Sequence, residues 1–216
     1  MTPRERLAAV ANGAPVDRKP VVLRPGAADD RADAIVVPAD TFAGGRADQA
    51  VLAHVLSPFA RAISRGTELT RLLHDDPAAG GDSLAELTEE TRAEMARALE
   101  QGADGIYYEL DGAYPTRTTP MQYGGFFLET DRKLLAEIEP TGFNILFVKG
   151  DVEPYIDFVS DLPAQAFGWE SKSVSVQFVR KMRQGALAAA DPQADVLLLE
   201  SYDDPVRTRA SAEVQA

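Results

Sequence analysis

A rhythm of short apolar runs alternating with longer amphipathic stretches constrains this chain more than any other feature. VVLRP (21–25), AIVVPAD (34–40), VLAHVLS (51–57), GIYYEL (105–110), NILFVKG (144–150) and AFGWES (166–171) are bounded by Gly, Pro or Asp. Most are rich in β-branched or aromatic residues, as strands are. Several are nearly continuous in apolar character, the pattern of parallel strands covered on both faces. Between them lie helices. Ser83 and Glu86 have the spacing of a capping box. They predict a helix that carries Leu84, Leu87, Thr91, Met95 and Leu99 on one face and closes at Gly102. Thr119–Pro120 predicts an N-cap with Pro at the first helical position, opening a helix toward Ile138. Further helices are expected over 58–74 and over 172–184, the latter ending at Gly185.

Alternating strands and helices with a parallel sheet leave two architectures, a doubly wound sheet or a (β/α)₈ barrel of the TIM type. The G-x-G-x-x-G fingerprint and the G-x-x-x-x-G-K-[ST] phosphate loop are both missing from the sequence, which favours the barrel. With 216 residues the chain is near the lower limit for that fold, so the barrel must be compressed. Pro and Gly are spread evenly, with no linker-like tract, and one domain over 1–216 is expected.

The C-terminus leaves two readings. In the first, RQGALAAADP (183–192) is the seventh strand with its loop and D-P-V-R opens the seventh helix, so the chain stops short of the last βα unit. In the second, VLLLES is the eighth strand. Only about three residues would then separate it from the seventh, where a parallel crossover takes about ten to twelve. The first reading is preferred.

Composition removes whole classes of function. With 34 Asp+Glu against 22 Lys+Arg the net charge is −12, which disfavours binding to nucleic-acid backbones. The absence of cysteine removes disulfides, thiolate nucleophiles and Cys-ligated zinc. No apolar run approaches the roughly 20 residues of a spanning helix. MTPRERLAAV has no secretory core either, so no membrane partner and a cytoplasmic address are expected.

Four segments together resemble the uroporphyrinogen decarboxylase superfamily, over about four-fifths of the chain. They are MTPRERLAAVANGAPVDRKPV at the start, SPFARAISRGTELTRLLHDDP (57–77), ALEQGADGIYYELDGAYP (98–115) and FNILFVKGDVEPYIDFVSDLPAQAFGWES (143–171). The resemblance implies a (β/α)₈ barrel, frequently dimeric, with one of two chemistries. The first is cofactor-free decarboxylation of a tetrapyrrole in porphyrin biosynthesis, a lyase reaction. The second is methyl transfer between a corrinoid and a thiol on zinc. Where the methyltransferase branch carries His-x-Cys-Gly, this chain has Phe147-Val148-Lys149-Gly150, a set without zinc donors. No metal and no cofactor are therefore expected.

For the decarboxylase branch, the resemblance of AIVVPADTF (34–42) implies that Asp40 stabilises positive charge developing on the substrate. That of VVLRPG (21–26) implies that Arg24 binds a substrate carboxylate. The family's second arginine is replaced by Ala27 or Ala28, its tyrosine falls near Ser64 and its serine near Leu110. The leading expectation is a carboxy-lyase or binder acting on a carboxylated, tetrapyrrole-like molecule at the C-terminal face. The alternative is a non-catalytic binding or partner protein of the same family, a homodimer in either case.

Three further residues are candidates for substrate binding. Glu109 and Asp111, at i and i+2, leave the same face of a strand, for acid–base work or for helix capping. Lys149 ends an apolar strand, where it would bind a carboxylate, act as a desolvated nucleophile, or pair with Asp151, Glu109 or Glu170. For Arg24 the plainer reading is a surface pair with Asp29–Asp30, and for Asp40 a turn before Thr41. Trp169–Glu170 walls a pocket or simply packs. His54 reads as a hydrogen-bonded core residue, His74 as a solvated helix end, and Tyr107, Tyr108 and Tyr123 as core and rim.

Overall fold

A computed structural model describes residues 1–150, 152–170, 172 and 174–214. Its strands are β1 (Val21–Leu23), β2 (Ala34–Pro38), β3 (Ala50–Leu56), β4 (Gly105–Leu110), β5 (Ile145–Val148), β6 (Ala166–Trp169), β7 (Ala186–Ala189) and β8 (Val196–Leu199). Every neighbouring pair is parallel, and β8 pairs with β1 to close the barrel. The truncated reading of the C-terminus is thereby corrected. VLLL is the eighth strand, and helix α9 (Pro205–Val214) follows it.

The physical reason is strand length. β7 covers only Ala186–Ala189, so residues 190–195 are free for the return. A four-residue strand rises about 13 Å. Six extended residues reach about 20 Å, enough to run back along it without a helix. The same economy recurs at residues 24–33 and 39–49, where β1–β2 and β2–β3 are joined by turns and irregular chain. Omitted crossover helices are how a barrel fits this length.

Helices cover the rest of the wall. After β3 come α2 (Pro58–Ser64), α3 (Leu69–Asp75) and α4 (Pro77–Glu100). After β4 come α5 (Pro120–Phe126) and α6 (Leu128–Ile138); α7 (Ile156–Val159) follows β5 and α8 (Val176–Met182) follows β6. Thr119 is the N-cap of α5 with Pro120 at the first helical position, as expected, and it also forms a capping box with Gln122. Ser83 does not cap a helix: α4 already starts at Pro77, with the Asp76 carboxylate accepting from the Ala79 N–H. The Gly80–Gly81 pair, which reads as a helix breaker, lies inside α4. A Cβ on Gly80 would stand 2.6 Å from the Leu73 Cα, so glycine lets α3 lie directly against α4.

The core has an inner and an outer layer. Leu7 and Val10 of α1 (Pro3–Ala11) pack with inward residues such as Val22, Val36, Leu52 and Ile145, which seals the N-terminal end of the barrel. Outward residues of the strands pack against α2–α8 and, around β8 and β1, against Ala210 of α9. Among the described residues no helix is long and apolar enough to cross a membrane.

Candidate functional site

Alternation along each strand decides which side chains reach the open C-terminal end of the barrel. Continuing the inward parity of Val22, Leu52, Tyr107, Phe147, Gly168 and Leu198 gives Arg24, His54, Glu109, Lys149, Glu170 and Glu200 at the mouth. These residues meet. Glu109 accepts from the Lys149 ammonium at 3.1 Å and lies 3.0 Å from His54 Nε2. Arg24 donates to Glu200 at 2.7 Å and to Glu170 at 3.2 Å. The second Glu170 oxygen takes the Gly150 N–H at 3.0 Å. The mouth is a ring of alternating charge.

An aromatic floor supports the ring. Tyr107 and Phe147 stack with centroids 5.3 Å apart, and the Arg24 guanidinium sits 4.6 Å above the Phe147 ring. Gly168 leaves room for that ring, since a Cβ there would meet Phe147 at 3.1 Å. The Tyr107 hydroxyl is fully buried and makes no hydrogen bond of ordinary geometry. It lies within the field of Arg24, Glu109 and Glu170, and burial pushes its pKa well above the usual value. The hydroxyl therefore keeps its proton and remains a donor without an acceptor.

Charge pairing also fixes protonation states. Burial favours the neutral form of Glu109, but the hydrogen bonds and charges of His54 and Lys149 outweigh it and lower its pKa. Burial likewise pulls Lys149 down, and Glu109, Asp111 and Glu170 outweigh it, raising its pKa. Lys149 is therefore an ammonium. The reading of it as a desolvated nucleophile is corrected, because the carboxylates beside it hold its proton.

Beside the ring lies a cavity of roughly 670 Å³, bounded by Arg24, Phe147, Trp169, Glu170, Lys172 and Glu200 among others. This size is typical of small-molecule sites. Trp169 is locked into the wall by its indole N–H, which donates to the Val174 carbonyl at 3.0 Å.

The sequence-derived candidates divide accordingly. Arg24 borders the cavity, but its partners are Glu170 and Glu200, whereas Asp29 pairs with Arg31. Glu109 and Lys149 belong to one cluster on the β3–β5 side. Asp111 is buried and accepts from the Tyr114 hydroxyl at 2.7 Å. Asp40 stands apart. The backbone turns after Pro38, where the Thr41 N–H donates to the Pro38 carbonyl, and Asp40 is exposed, borders no part of this cavity and pairs with no described residue. Asp151, one of the partners considered for Lys149, and Ser171, at the end of AFGWES, lie outside the described residues. The sequence reading undervalued His54, Tyr107 and Glu200. Two-residue alternation was the available signal, since each continues an inward stripe.

The positions that resemble the zinc ligands of the methyltransferase branch hold a stacked Phe147 and an ion-paired Lys149. Among the described residues no group of three or more His, Cys, Asp or Glu side chains is arranged to hold a metal ion. These residues do not fit zinc.

No family model matches the sequence, and no curated protein matches it. The chain is similar in structure to a methyltransferase from Methanosarcina mazei, with a TM-score of 0.79 and 14% identity over 100% of each chain. At that identity the likeness is one of fold, and it agrees with a closed TIM-type barrel.

Proposed function

We propose that this chain binds a carboxylated small molecule at the C-terminal mouth of its barrel, with Arg24 as the carboxylate anchor. The observation that carries the reading is the state of Arg24. Its guanidinium is fixed over Phe147 at 4.6 Å, yet one of its two partners, Glu200, has a side chain 71% exposed. A ligand carboxylate can take the place of such a partner at low cost, because an exposed ion pair contributes only about 0–1 kcal/mol. Phe147 holds Arg24 from below, and Trp169 gives the cavity wall an apolar surface for the body of the ligand.

Local charge narrows the ligand further. Glu170, Asp191, Glu200 and Asp204 border the cavity against Arg24 and Lys172. Their excess negative charge favours one or two carboxylates and works against a highly carboxylated tetrapyrrole. The resemblance to uroporphyrinogen decarboxylases and the fold shared with a methyltransferase both suit a small-molecule site at this end of the barrel. Binding is favoured over decarboxylation, since no described residue holds the Asp40 carboxylate in place and electrostatic catalysis needs preorganised charge.

Trp169 is the chain's single tryptophan and borders the cavity, so its fluorescence is a direct reporter. Phenylpyruvate is expected to quench it saturably, and Arg24→Ala to weaken that binding about tenfold, roughly the value of one charge-assisted contact. The polycarboxylate uroporphyrin is expected to bind more weakly. Unsaturable quenching, or equal affinity in the variant, overturns the reading. Loss of carboxyl groups from uroporphyrinogen under reducing conditions, abolished in Asp40→Ala, would establish the decarboxylase instead.

A further inference from the structure

We propose that Glu200 sets the ligand specificity of this cavity, selecting an apolar α-amino acid in its zwitterionic form over a plain carboxylate. The proposal rests on the carboxylate site above and names the class of ligand it takes. An exchange of partners at Arg24 carries it.

The two carboxylates that hold Arg24 are anchored unequally. Glu170 accepts from one guanidinium nitrogen at 3.2 Å and, through its other oxygen, from the Gly150 N–H at 3.0 Å. Glu200 accepts from the other nitrogen at 2.7 Å, is mostly exposed, and has no second partner among the described residues. A ligand carboxylate therefore displaces Glu200, while Glu170 keeps the guanidinium in place. For a plain carboxylate this exchange makes one ion pair and breaks another, and it leaves Glu200 beside a new negative charge. A ligand with an ammonium next to its carboxylate makes two pairs for the one it breaks, because the displaced Glu200 accepts from that ammonium.

The rest of the cavity points the same way. Asp191 and Asp204 join Glu170 and Glu200 on its border, four carboxylates against the two cations Arg24 and Lys172. Asp191 accepts from the Gln193 N–H at 2.7 Å and Asp204 from the Val206 N–H at 2.8 Å, backbone groups that leave the carboxylate charge uncancelled. A zwitterion carries no net charge into that field and escapes the repulsion an anion meets. Trp169, Val174, Val176 and Leu198 form an apolar part of the wall, which suits an apolar side chain.

L-Phenylalanine and 3-phenylpropionate differ only in the ammonium group, and quenching of Trp169 reads the affinity of each. Phenylalanine is expected to bind about tenfold more tightly, the weight of one charge-assisted contact. Glu200→Gln is expected to abolish that preference by weakening phenylalanine, with 3-phenylpropionate unchanged or tighter. Asp191→Asn removes the same charge from the cavity border but leaves the Arg24–Glu200 pair intact, and it is expected to keep the preference. The thermal midpoint of each variant shows that the fold is retained. Equal binding of the two ligands by the wild type overturns the proposal and leaves the carboxylate site standing. So does a preference that survives Glu200→Gln, or one that Asp191→Asn abolishes as completely. If neither ligand quenches Trp169, and phenylpyruvate does not either, the site and the proposal fall together.

Discussion

Replacing Asp33 by Asn is expected to cost about 3–5 kcal/mol of folding stability, the usual penalty for stranding one half of a buried ion pair. Asp33 is completely buried just ahead of β2. One of its oxygens takes the Arg6 guanidinium and an Arg18 nitrogen at 3.0 Å; the other takes Arg18 at 2.6 Å and the Val21 N–H at 2.8 Å. Its own N–H donates to the Val21 carbonyl, and its carbonyl accepts from Ala50. One residue thus joins α1, β1, β2 and β3 at the sealed end of the barrel. Asparagine keeps the volume, but it offers a single acceptor and an NH₂ that faces guanidinium. Arg6, with only 6% of its side chain exposed, is then left charged with Asp17 as its remaining carboxylate. Arg18→Met is the control. Its side chain is 41% exposed, so water replaces much of what is lost, and about 1 kcal/mol or less is expected. Urea unfolding of both variants checks the pair. A loss below 1 kcal/mol for Asp33→Asn would show that the cluster does not hold the barrel end together.

Much of this architecture is legible in the sequence because parallel strands advertise themselves. GIYYEL coincides with β4, residue for residue, and the other apolar runs fall on strands within a residue or two of their ends. The C-terminus is harder to read for a physical reason. RQGALAAADP shows a strand without showing where it stops, and because β7 ends at Ala189 the return to β8 is longer than the sequence suggests. Closure between Val21–Leu23 and Leu197–Leu199 is a contact across almost the whole chain, and no local pattern encodes it. The helix start at Asp76–Pro77 carries the same Asx/Thr-Pro signature as Thr119–Pro120. The S-x-x-E spacing at Ser83 competed with it and lost, since Gly80 is required by the packing of α3 on α4.

The mouth is legible by parity and illegible by partner. Alternation alone places Arg24, Glu109 and Lys149 on inner faces. Which carboxylate each cation meets depends on the stagger of the strands around the barrel. Leu56 is level with Glu109, and Glu109 with Phe147, so Glu109 falls between His54 on β3 and Lys149 on β5. Asp40 shows the limit of the same rule. Its number continues the inward stripe of Ala34 and Val36, but β2 ends at Pro38 and the backbone turns. Parity has no meaning once the strand has stopped.

The outer face of β4 sets up the second large effect, a stability that falls as pH rises through weak acid. Tyr107 and Glu109 point inward from this strand, while Tyr108 between them points outward. Its hydroxyl donates to Asp131 of α6 at 2.6 Å, and the hydroxyl of Tyr123 from α5 donates to the other Asp131 oxygen at 2.9 Å. Burial pushes Asp131 up from 3.8 to about 6, although the two hydroxyls favour the charged form and pull it partly back. A raised carboxyl pKa means that the folded state binds the proton more tightly than the unfolded chain. The stabilisation is therefore full below about pH 4, falls as pH rises to about 6, and is gone above. Two units correspond to about 3 kcal/mol. Carboxylates with lowered values, such as Asp29 and Glu109, act in the opposite sense, so the whole-protein profile mixes both. Asp131→Asn separates them. An amide fills the same space, accepts from one tyrosine and donates to the other, and does not ionise. The variant is expected to gain about 3 kcal/mol relative to wild type between pH 4 and pH 7, read from urea midpoints across that range. A difference that stays flat with pH would mean that Asp131 titrates as an ordinary carboxyl. In that event burial between α5, α6 and β4 would not disfavour the charged form of Asp131.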